Sequence, residues 1–337
     1  MQAALLDCPA MPELRRDPIV GRWVVIAPER ADRPNALLRS MPEPQDGPSC
    51  PFCPGNEAMT PPEILRREGP GGWSMRVVPN RFPALRVEKQ LAREGHGLYD
   101  SMAGVGAHEV IIETREHART LSQLKRSELE ELLRVWQERM VDLSRDLRLR
   151  AIFIFKNSGV PAGATLSHAH SQLVALPVVP PELQAELDGS RAHYQRKERC
   201  IFCDVLAQEL ADEARLVFEN DGMVAFCPWA ARSPFETWIM PRSHGSSFES
   251  GSAQELRDLA DALFAMLRKM DRALEKPAFN LYLHTLPLRE PRNDWYHWHL
   301  ELKPVLTLQA GFEWASGCFI NPTPPEEAAA FLRQTEI

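Results

Sequence analysis

Two long stretches of the chain carry apolar residues at helical spacing. The first is predicted to begin at Ser127, because Ser127 and Glu130 have the spacing of a capping box. The second is predicted to begin at Ser252, where Glu255 repeats that signal. The apolar positions continue to Leu143 in the first stretch and to Leu274 in the second. Both stretches therefore predict amphipathic helices that bury one face.

Short apolar stretches typical of strands lie on both sides of each predicted helix. Before the helices, residues 108–117 match residues 235–244, and each stretch ends in a histidine. After the helices, the apolar residues 151–156 correspond to residues 279–283. Each half then ends in a His-x-His motif. The order strand, histidine, helix, strand, His-x-His thus occurs twice.

This repeat predicts an α+β fold with an internal duplication, in which each half is an antiparallel sheet with a packed helix. A chain of 337 residues is also longer than most single domains. The proline-rich residues 177–181 interrupt the pattern. We therefore place the halves at residues 1–180 and 181–337.

Cysteine pairs and histidines occupy matching places in the two halves. Zinc prefers four tetrahedral ligands, and cysteine and histidine are its usual ones. The repeat supplies such a set twice, and we predict two structural zinc ions per chain on these residues: Cys50, Cys53, His117 and His168 in the first half, and Cys200, Cys203, His244 and His297 in the second. Redox-active or incidental cysteine pairs are the alternative.

Three further histidines are less clearly assigned. His108 lies inside a predicted strand and its counterpart is Phe235, so we expect a core or hydrogen-bonded histidine there. His284 and His299 lie near the second set, and either could complete it or replace one of its ligands.

The first His-x-His motif has the features of a site for phosphoryl chemistry. If His168 binds metal, His170 is left to face a loop of small residues, and a neutral imidazole is a competent nucleophile toward phosphorus. Gln172, the backbone near Gly163 and the Thr165 hydroxyl can donate to phosphate oxygens without adding charge. The second motif lacks such a loop, so we expect the halves to differ in function.

Three other residues are weaker candidates for binding a nucleotide. Arg30 and Arg33 could form bidentate contacts with phosphates, although a solvated basic loop would look the same. Asn80 could contact a ribose or base, and it would otherwise be a turn residue.

Composition narrows the class of protein. The net charge of −7 and the pI of about 5.9 argue against a broad nucleic-acid-binding surface. No apolar stretch is long enough to predict a membrane span. The seven cysteines are an odd number and the N-terminal residues show no secretory pattern, so we expect a cytoplasmic protein without a disulfide framework.

Taken together, these motifs resemble those of the galactose-1-phosphate uridylyltransferase family, whose members consist of two fused histidine-triad-like halves. The likeness covers almost the whole chain. It is carried by residues 21–26, 30–33, 50–56, 76–80, 157–159, 168–172 and 311–313.

The resemblance implies a ping-pong transfer of UMP from UDP-glucose to galactose-1-phosphate, with His170 as the uridylylated nucleophile and Gln172 on the phosphate oxygens. It implies a homodimer whose C-terminal segment contributes to the sugar nucleotide. It implies substrate contacts from Arg30, Arg33, Asn80, Asn157, Gly163, Thr165, Phe312 and Glu313, and zinc on the first cysteine–histidine set.

Three departures bear on the substrate. Ala169 stands where the family usually has proline, and residues 317–322 lack the glutamine that binds the hexose in the best-known members. Those members also lack the second cysteine pair. The last two features resemble a branch that includes ADP-glucose phosphorylase.

The sequence analysis thus favours uridylyl transfer between hexose-1-phosphates and keeps three alternatives. They are adenylyl transfer, hydrolysis of nucleotide sugars by a histidine-triad enzyme, and a zinc-stabilised binding module without catalysis. The base and the acceptor are left open.

Overall fold

The computed structural model describes residues 12–32 and 49–337. Within them the chain forms three β-sheets and six α-helices. The strands are β1 (Glu13–Arg16), β2 (Trp23–Ile26), β3 (Leu65–Gly69), β4 (Gly72–Pro79), β5 (Arg93–His96), β6 (Tyr99–Met102), β7 (Ala107–Ile112), β8 (Ala151–Ser158), β9 (His170–Leu176), β10 (Leu216–Glu219), β11 (Met223–Phe226), β12 (Thr237–Pro241), β13 (Phe279–His284), β14 (His299–Pro304) and β15 (Phe319–Asn321). The helices are α1 (Arg126–Leu143), α2 (Pro181–Lys197), α3 (Ile201–Asp212), α4 (Ala253–Ala273), α5 (Gly311–Ser316) and α6 (Pro325–Gln334).

The central feature is a ten-stranded sheet with the strand order β10-β11-β12-β14-β13-β8-β9-β7-β4-β3. The order is the same from either end of the sheet. A hairpin comes first (β10-β11 or β3-β4), and a third strand follows (β12 or β7). Next is the strand that begins at the second histidine of His-x-His (β14 or β9), and then the inner strand (β13 or β8). The inner strands β8 and β13 pair antiparallel, as do all other neighbours in this sheet. The α+β fold is thus confirmed, and the sheets of both halves join edge to edge. The division at residues 180 and 181 stays a prediction.

The two predicted helices differ in how they begin. Helix α4 starts as predicted, because the Ser252 hydroxyl accepts from the Glu255 amide at 3.1 Å. The predicted start of α1 at Ser127 is wrong. That helix begins at Arg126, and the carboxylate of Glu128 accepts from the Lys125 amide at 2.7 Å. Glu128 therefore caps the N-terminus of α1, in place of the predicted Glu130.

The two long helices, α1 and α4, pack against each other on one face of the sheet. Between them and the sheet lies the largest apolar core, to which β7 and β9 contribute Ile111 and Leu173. Because side chains alternate along a strand, the other face of β7 and β9 carries different residues, and His170 and Gln172 are among them. In the described part of the chain, no helix is long and apolar enough to cross a membrane.

A separate three-stranded sheet brings the two ends of the described chain together. Strand β15 pairs parallel with β2, which pairs antiparallel with β1. The buried Asn321 of β15 donates to the backbone oxygens of Ala231 and Ser233 at 3.0 and 3.2 Å. The segment around α5 is thereby anchored to the second half of the molecule.

The interface between α1 and the sheet should dominate stability. Leu132 is fully buried in the main core, and Leu132→Ala should lower the free energy of unfolding by about 2–5 kcal/mol, because it removes apolar contacts and leaves a cavity. The matched control is Leu147→Ala, since Leu147 is 79% exposed. Urea denaturation monitored by circular dichroism would measure both, and equal effects would contradict this packing.

Candidate active site and metal-binding clusters

The strand β9 positions the first His-x-His motif against its neighbour β7. In the register of this pair, His170 lies opposite Ile112 and Gln172 lies opposite Val110. His170 is the first residue of β9, and His168 lies in the loop before it. His170 and Gln172 share a face because they are two residues apart in a strand.

The first predicted metal set comes together in space. Ligand atoms of Cys50, Cys53, His117 and His168 all lie within 4.8 Å of one another. The Sγ atom of Cys53 is 3.3 Å from Nδ1 of His117 and 3.6 Å from Nδ1 of His168. A tetrahedral zinc ion, with bonds of about 2.3 Å to sulfur and about 2.0–2.1 Å to nitrogen, gives a sulfur–nitrogen separation of about 3.6 Å. The four residues therefore fit one metal ion.

The surroundings of the two histidines favour the same arrangement. Nε2 of His168 lies 2.7 Å from the carbonyl oxygen of Thr114, and Nε2 of His117 lies 3.1 Å from the Ser167 hydroxyl. A proton on Nε2 of His168 donates to that carbonyl and leaves the Nδ1 lone pair directed at the thiols. Such hydrogen bonds on the far nitrogen orient metal-binding histidines.

The second predicted set also comes together, on Cys200, Cys203, His244 and His297. Sγ of Cys203 lies 3.4 Å from Nδ1 of His244 and 3.5 Å from Nδ1 of His297. A hydrogen bond from Cys200 lowers the pKa of the Cys203 thiol, and burial lowers the pKa of His297. The same contacts raise the pKa of the Cys200 thiol and of His244, so a bound metal ion would have to displace a proton from Cys200 to gain its second thiolate.

His284 and His299 do not join this second set, contrary to one of the predicted possibilities. They lie in a third, fully buried cluster with Glu186 and Glu301. Nδ1 of His284 is 2.9 Å from the Glu186 carboxylate. Although burial acts against it, the nearby Glu186 and Glu301 raise the pKa of His284 to about 9. The cluster's donor atoms could bind a metal ion, and its opposite charges also neutralise each other directly.

The ring of His170 is held in one tautomer by its own backbone. Its Nδ1 lies 2.8 Å from the carbonyl oxygen of His168, which can only accept. Nδ1 therefore carries the proton, and the lone pair resides on Nε2. Phe52, between the two cysteines, contacts the edges of both the His168 and His170 rings, at centroid distances of 6.0 and 5.3 Å. The His168 carbonyl and Phe52 thus fix the orientation of the His170 ring.

His299 occupies the matching place in the second half but has different surroundings. Its Nδ1 lies 3.2 Å from the carbonyl oxygen of His297, as in the first half. However, its ring is stacked between Trp238 and His284, each at a centroid distance of 4.8 Å. Its Nε2 is buried and lies 3.7 Å from Glu301. A phosphate group has no access to this ring, which agrees with the expectation that the halves differ.

The loop of small residues before His168 forms one tight turn. Gly159 and Gly163 have φ angles of +82° and +90°, a region that favours glycine. A Cβ on Gly159 would lie 2.9 Å from Cβ of Ala278. The Gly163 amide donates to the carbonyl oxygen of Val160 at 2.9 Å. This amide is therefore used within the turn, and the contribution of Gly163 to substrate binding stays a prediction that rests on its small size.

Strand β13 of the second half supports this loop. Asn280 lies opposite Asn157 in the register, and its amide nitrogen donates to Oδ1 of Asn157 at 2.8 Å and to the Ala162 carbonyl at 2.9 Å. Asn157, Gly159 and Ala164 line a pocket beside the backbone of residues 168–170. The exposed Thr165 lies on the same loop. Asn280 is a supporting residue that the sequence did not indicate.

A buried ion pair between Lys156 and Glu113 contacts the backbone of His170. Nζ of Lys156 is 2.7 Å from the Glu113 carboxylate and donates to the carbonyl oxygen of His170 at 2.9 Å. The Lys156 side chain is 3% exposed and that of Glu113 is fully buried. Sequence reasoning missed this pair, because lysine at the end of an apolar strand is usually solvated.

Asn80 lies next to His108, which in turn contacts Gln172. It follows β4, and its amide nitrogen is 3.1 Å from Nε2 of His108, which is itself 2.8 Å from Oε1 of Gln172. The prediction that His108 is a hydrogen-bonded histidine is thus confirmed. The structure brings Asn80 and Gln172 to one side of the sheet.

The remaining candidate residues lie further along the chain. The guanidinium of Arg30 forms no ion pair with any residue in the ranges 12–32 and 49–337, and Arg33 lies outside the described residues. Phe312 is exposed and Glu313 is half-buried on α5, where the Glu313 carboxylate accepts from the Ala310 amide at 2.9 Å. Their roles in substrate binding stay predictions.

Comparison with known proteins agrees with this geometry. Residues 2–180 match the family model described as galactose-1-phosphate uridyl transferase, N-terminal domain, and residues 186–313 match the model of its C-terminal domain. The chain is 35% identical to an ADP-glucose phosphorylase of Arabidopsis thaliana, over 97% of this chain and 93% of the relative. It is 29% identical to a galactose-1-phosphate uridylyltransferase of Thermotoga maritima, over 97% of this chain and 99% of the relative.

A solved structure is also similar. The crystal structure of an ADP-glucose phosphorylase from Arabidopsis thaliana with bound ADP-glucose superimposes with a TM-score of 0.83. The two share 33% sequence identity, and the match covers 97% of this chain and all of the other.

The buried pair behind His170 gives a prediction. Lys156→Met leaves the Glu113 carboxylate buried without its partner, and it should lower the free energy of unfolding by about 3–5 kcal/mol. The double variant Lys156→Met/Glu113→Gln should recover part of that loss, and the exposed Lys89→Met serves as the control. Urea denaturation would measure all three, and a Lys156 variant as stable as the control would contradict the buried pair.

Proposed function

Because the chain belongs to the galactose-1-phosphate uridylyltransferase family, we propose that it transfers a nucleoside monophosphate from a nucleotide sugar through a covalent intermediate on His170. The observation that carries this proposal is the hydrogen bond from Nδ1 of His170 to the His168 carbonyl, which fixes the orientation of the ring and, in the neutral form, leaves the lone pair on Nε2. A positioned neutral imidazole is a suitable nucleophile for phosphorus.

The reaction would take two displacements. In the first, Nε2 of His170 attacks the α-phosphorus of the nucleotide sugar, a phosphorus–nitrogen bond forms, and the phosphoanhydride bond breaks to release the hexose-1-phosphate. In the second, a phosphate oxygen of the acceptor attacks the same phosphorus and the bond to His170 breaks. Phosphoryl transfer of this kind depends on positioning and on stabilisation of charge, which Gln172 can supply as a neutral donor.

For the nucleotide, we propose adenylyl transfer from ADP-glucose to inorganic phosphate as the first candidate. The chain is more similar to the ADP-glucose phosphorylase, at 35% identity, than to the Thermotoga maritima uridylyltransferase, at 29%. Residues 317–322 lack the glutamine that binds hexose in the best-known uridylyltransferases, and Asn321, their only amide side chain, is buried and bonded to backbone. This revises the preference for uridylyl transfer that the sequence motifs suggested.

Uridylyl transfer between UDP-glucose and galactose-1-phosphate is the second candidate. It is favoured by the two matching family models. Neither candidate rests on a residue that reads the base.

Paired assays should separate the two candidates. We expect ADP-glucose and phosphate to give ADP and glucose-1-phosphate faster than UDP-glucose and galactose-1-phosphate exchange. Protein mixed with nucleotide-labelled ADP-glucose should carry acid-labile label. His170→Ala should abolish the label and reduce turnover by about 10³-fold or more, since the covalent route is lost.

The control is His96→Ala, which alters an exposed histidine of β5. Exchange with the uridine pair alone would reject the adenylyl candidate. Absence of label with every nucleotide sugar, together with unchanged activity of His170→Ala, would reject the covalent mechanism, and steady hydrolysis without an acceptor would favour the hydrolase.

We further infer that the chain forms a homodimer. Helix α5 exposes Phe312 and Trp314, which are 50% and 77% accessible. A partner surface over these side chains would remove them from water, and it would bring Phe312 and Glu313 toward a substrate at the subunit interface.

We also propose zinc in both cysteine–histidine clusters, where it would be structural because four protein ligands leave no open position. Elemental analysis should give about two zinc ions per chain. Cys53→Ser and Cys203→Ser should each remove one ion and lower the melting temperature, because binding energy at a structural metal is folding energy.

Cys318→Ser is the matched control, since Cys318 lies outside both clusters. Unchanged zinc content in the Cys53 or Cys203 variant would contradict the corresponding site. An additional ion that survives both substitutions would indicate metal in the Glu186, His284, His299 and Glu301 cluster.

A further inference from the structure

His108 is bonded at both ring nitrogens, and the two bonds define its tautomer. The backbone amide of Ala84 lies 3.1 Å from Nδ1 and can only donate to it. Nδ1 is therefore unprotonated and the proton of the neutral ring is on Nε2. Nε2 lies 2.8 Å from Oε1 of Gln172, so the ring donates and the amide oxygen accepts.

This bond fixes which end of the Gln172 amide is available to a ligand. With Oε1 held by His108, the NH2 group is the remaining end, and it forms no hydrogen bond with the residues that the structure describes. The amide nitrogen of Asn80 lies 3.1 Å from the same Nε2 atom and, since that atom already carries a proton, cannot donate to it. Oδ1 of Asn80 accepts from the Phe82 amide at 2.9 Å. A flip of the Asn80 side-chain amide would lose that bond.

The sheet keeps this arrangement in place. His108 lies opposite Val174 in the register of β7 and β9, and Val174 is two residues from Gln172. Because alternate residues of a strand share a face, His108 lies on the face that carries Gln172 and His170. The backbone of Asn80 donates to the His108 carbonyl at 2.8 Å, which fixes the end of β4 against β7. His108 is therefore held by the backbone at Asn80, at Ala84 and along β9.

We propose that His108 is a positioning residue for phosphoryl transfer. It would keep the Gln172 amide turned so that NH2, and not the carbonyl oxygen, faces the transferred phosphate. This inference rests on the proposed function, because it assigns His108 a role at the same site. Without His108 the amide is able to rotate, and its oxygen then repels the phosphate oxygens that the NH2 group would bind.

The second half of the chain suggests the test substitution. In the sequence repeat the residue aligned with His108 is Phe235, which packs against the apolar core, whereas the register of β12 with β14 makes Glu236 the structural equivalent. His108→Phe would retain an aromatic ring and remove the donor. We expect the single-turnover rate of nucleotidyl-His170 formation to fall by about 10–10²-fold, with a smaller change in KM, because the lost contact stabilises the transition state more than the bound substrate. His108→Gln, whose amide can donate to Oε1, should restore most of the rate.

A double-variant cycle tests whether His108 acts through Gln172. In a Gln172→Ala background, His108→Phe should have almost no further effect on the nucleotidylation rate, since the group that it positions is gone. Equal losses in the two backgrounds would overturn the proposal, and so would a His108→Phe enzyme as fast as the wild type.

Spectroscopy of the wild-type protein gives an independent measurement of the His108 tautomer, and a variant is needed only to assign the signal. In nitrogen-15 spectra of histidine-labelled protein, with the His108→Gln spectrum used to assign the signal, His108 should show a proton on Nε2 and none on Nδ1. The opposite tautomer would overturn the proposal. If the wild type forms no nucleotidyl-enzyme at all, the proposed function fails, whereas a labelled wild type with an unaffected His108→Phe variant rejects only the role of His108.

Discussion

The arrangement of the candidate site depends on His168, which is bonded in two directions. Its ring lies with Cys50, Cys53 and His117 in a cluster that fits one metal ion. Its backbone carbonyl accepts the Nδ1 proton of His170. The position of the His168 backbone thus sets the tautomer and the direction of the His170 ring. The cysteine–histidine cluster and the proposed nucleophile are thus joined by a single residue, so that disorder in the first would disturb the second.

The internal repeat places the same backbone geometry in two different side-chain environments. His297 and His299 reproduce the geometry of His168 and His170, including the hydrogen bond from the second ring to the first carbonyl. In the second half, however, Trp238 and His284 cover both faces of the His299 ring. In addition, the Glu301 carboxylate lies 3.7 Å from Nε2 of both His284 and His299, so the ring nitrogen that corresponds to Nε2 of His170 has a buried carboxylate beside it. The two halves therefore share a scaffold, and the side chains around it give the two His-x-His motifs different surroundings.

Much of this arrangement could be predicted from local spacing. The cysteine pairs and His-x-His motifs are recognisable because their members are close in sequence, and the repeat identified their distant partners. The start of α1 was mispredicted because two glutamates lie within reach of its first turn and only the structure shows that Glu128 closes it. Glu186 was missed because its contact with His284 joins α2 to β13 across 98 residues. Nothing in a helical pattern indicates that one glutamate faces a buried histidine.

The buried charges near His170 require a physical reason, because an ion pair removed from water contributes little to stability and often costs some. The side chains of Lys156 and Glu113 are both almost inaccessible to solvent. Lys156 also donates to the carbonyl of His170, which fixes the peptide that follows His170. Its charge is balanced by Glu113, so it holds the backbone without placing a net charge beside the imidazole. Gln172 and the compensated lysine add no net charge to the site, so the charge of a bound phosphate would have to be balanced by other groups, for which Arg30 is a candidate.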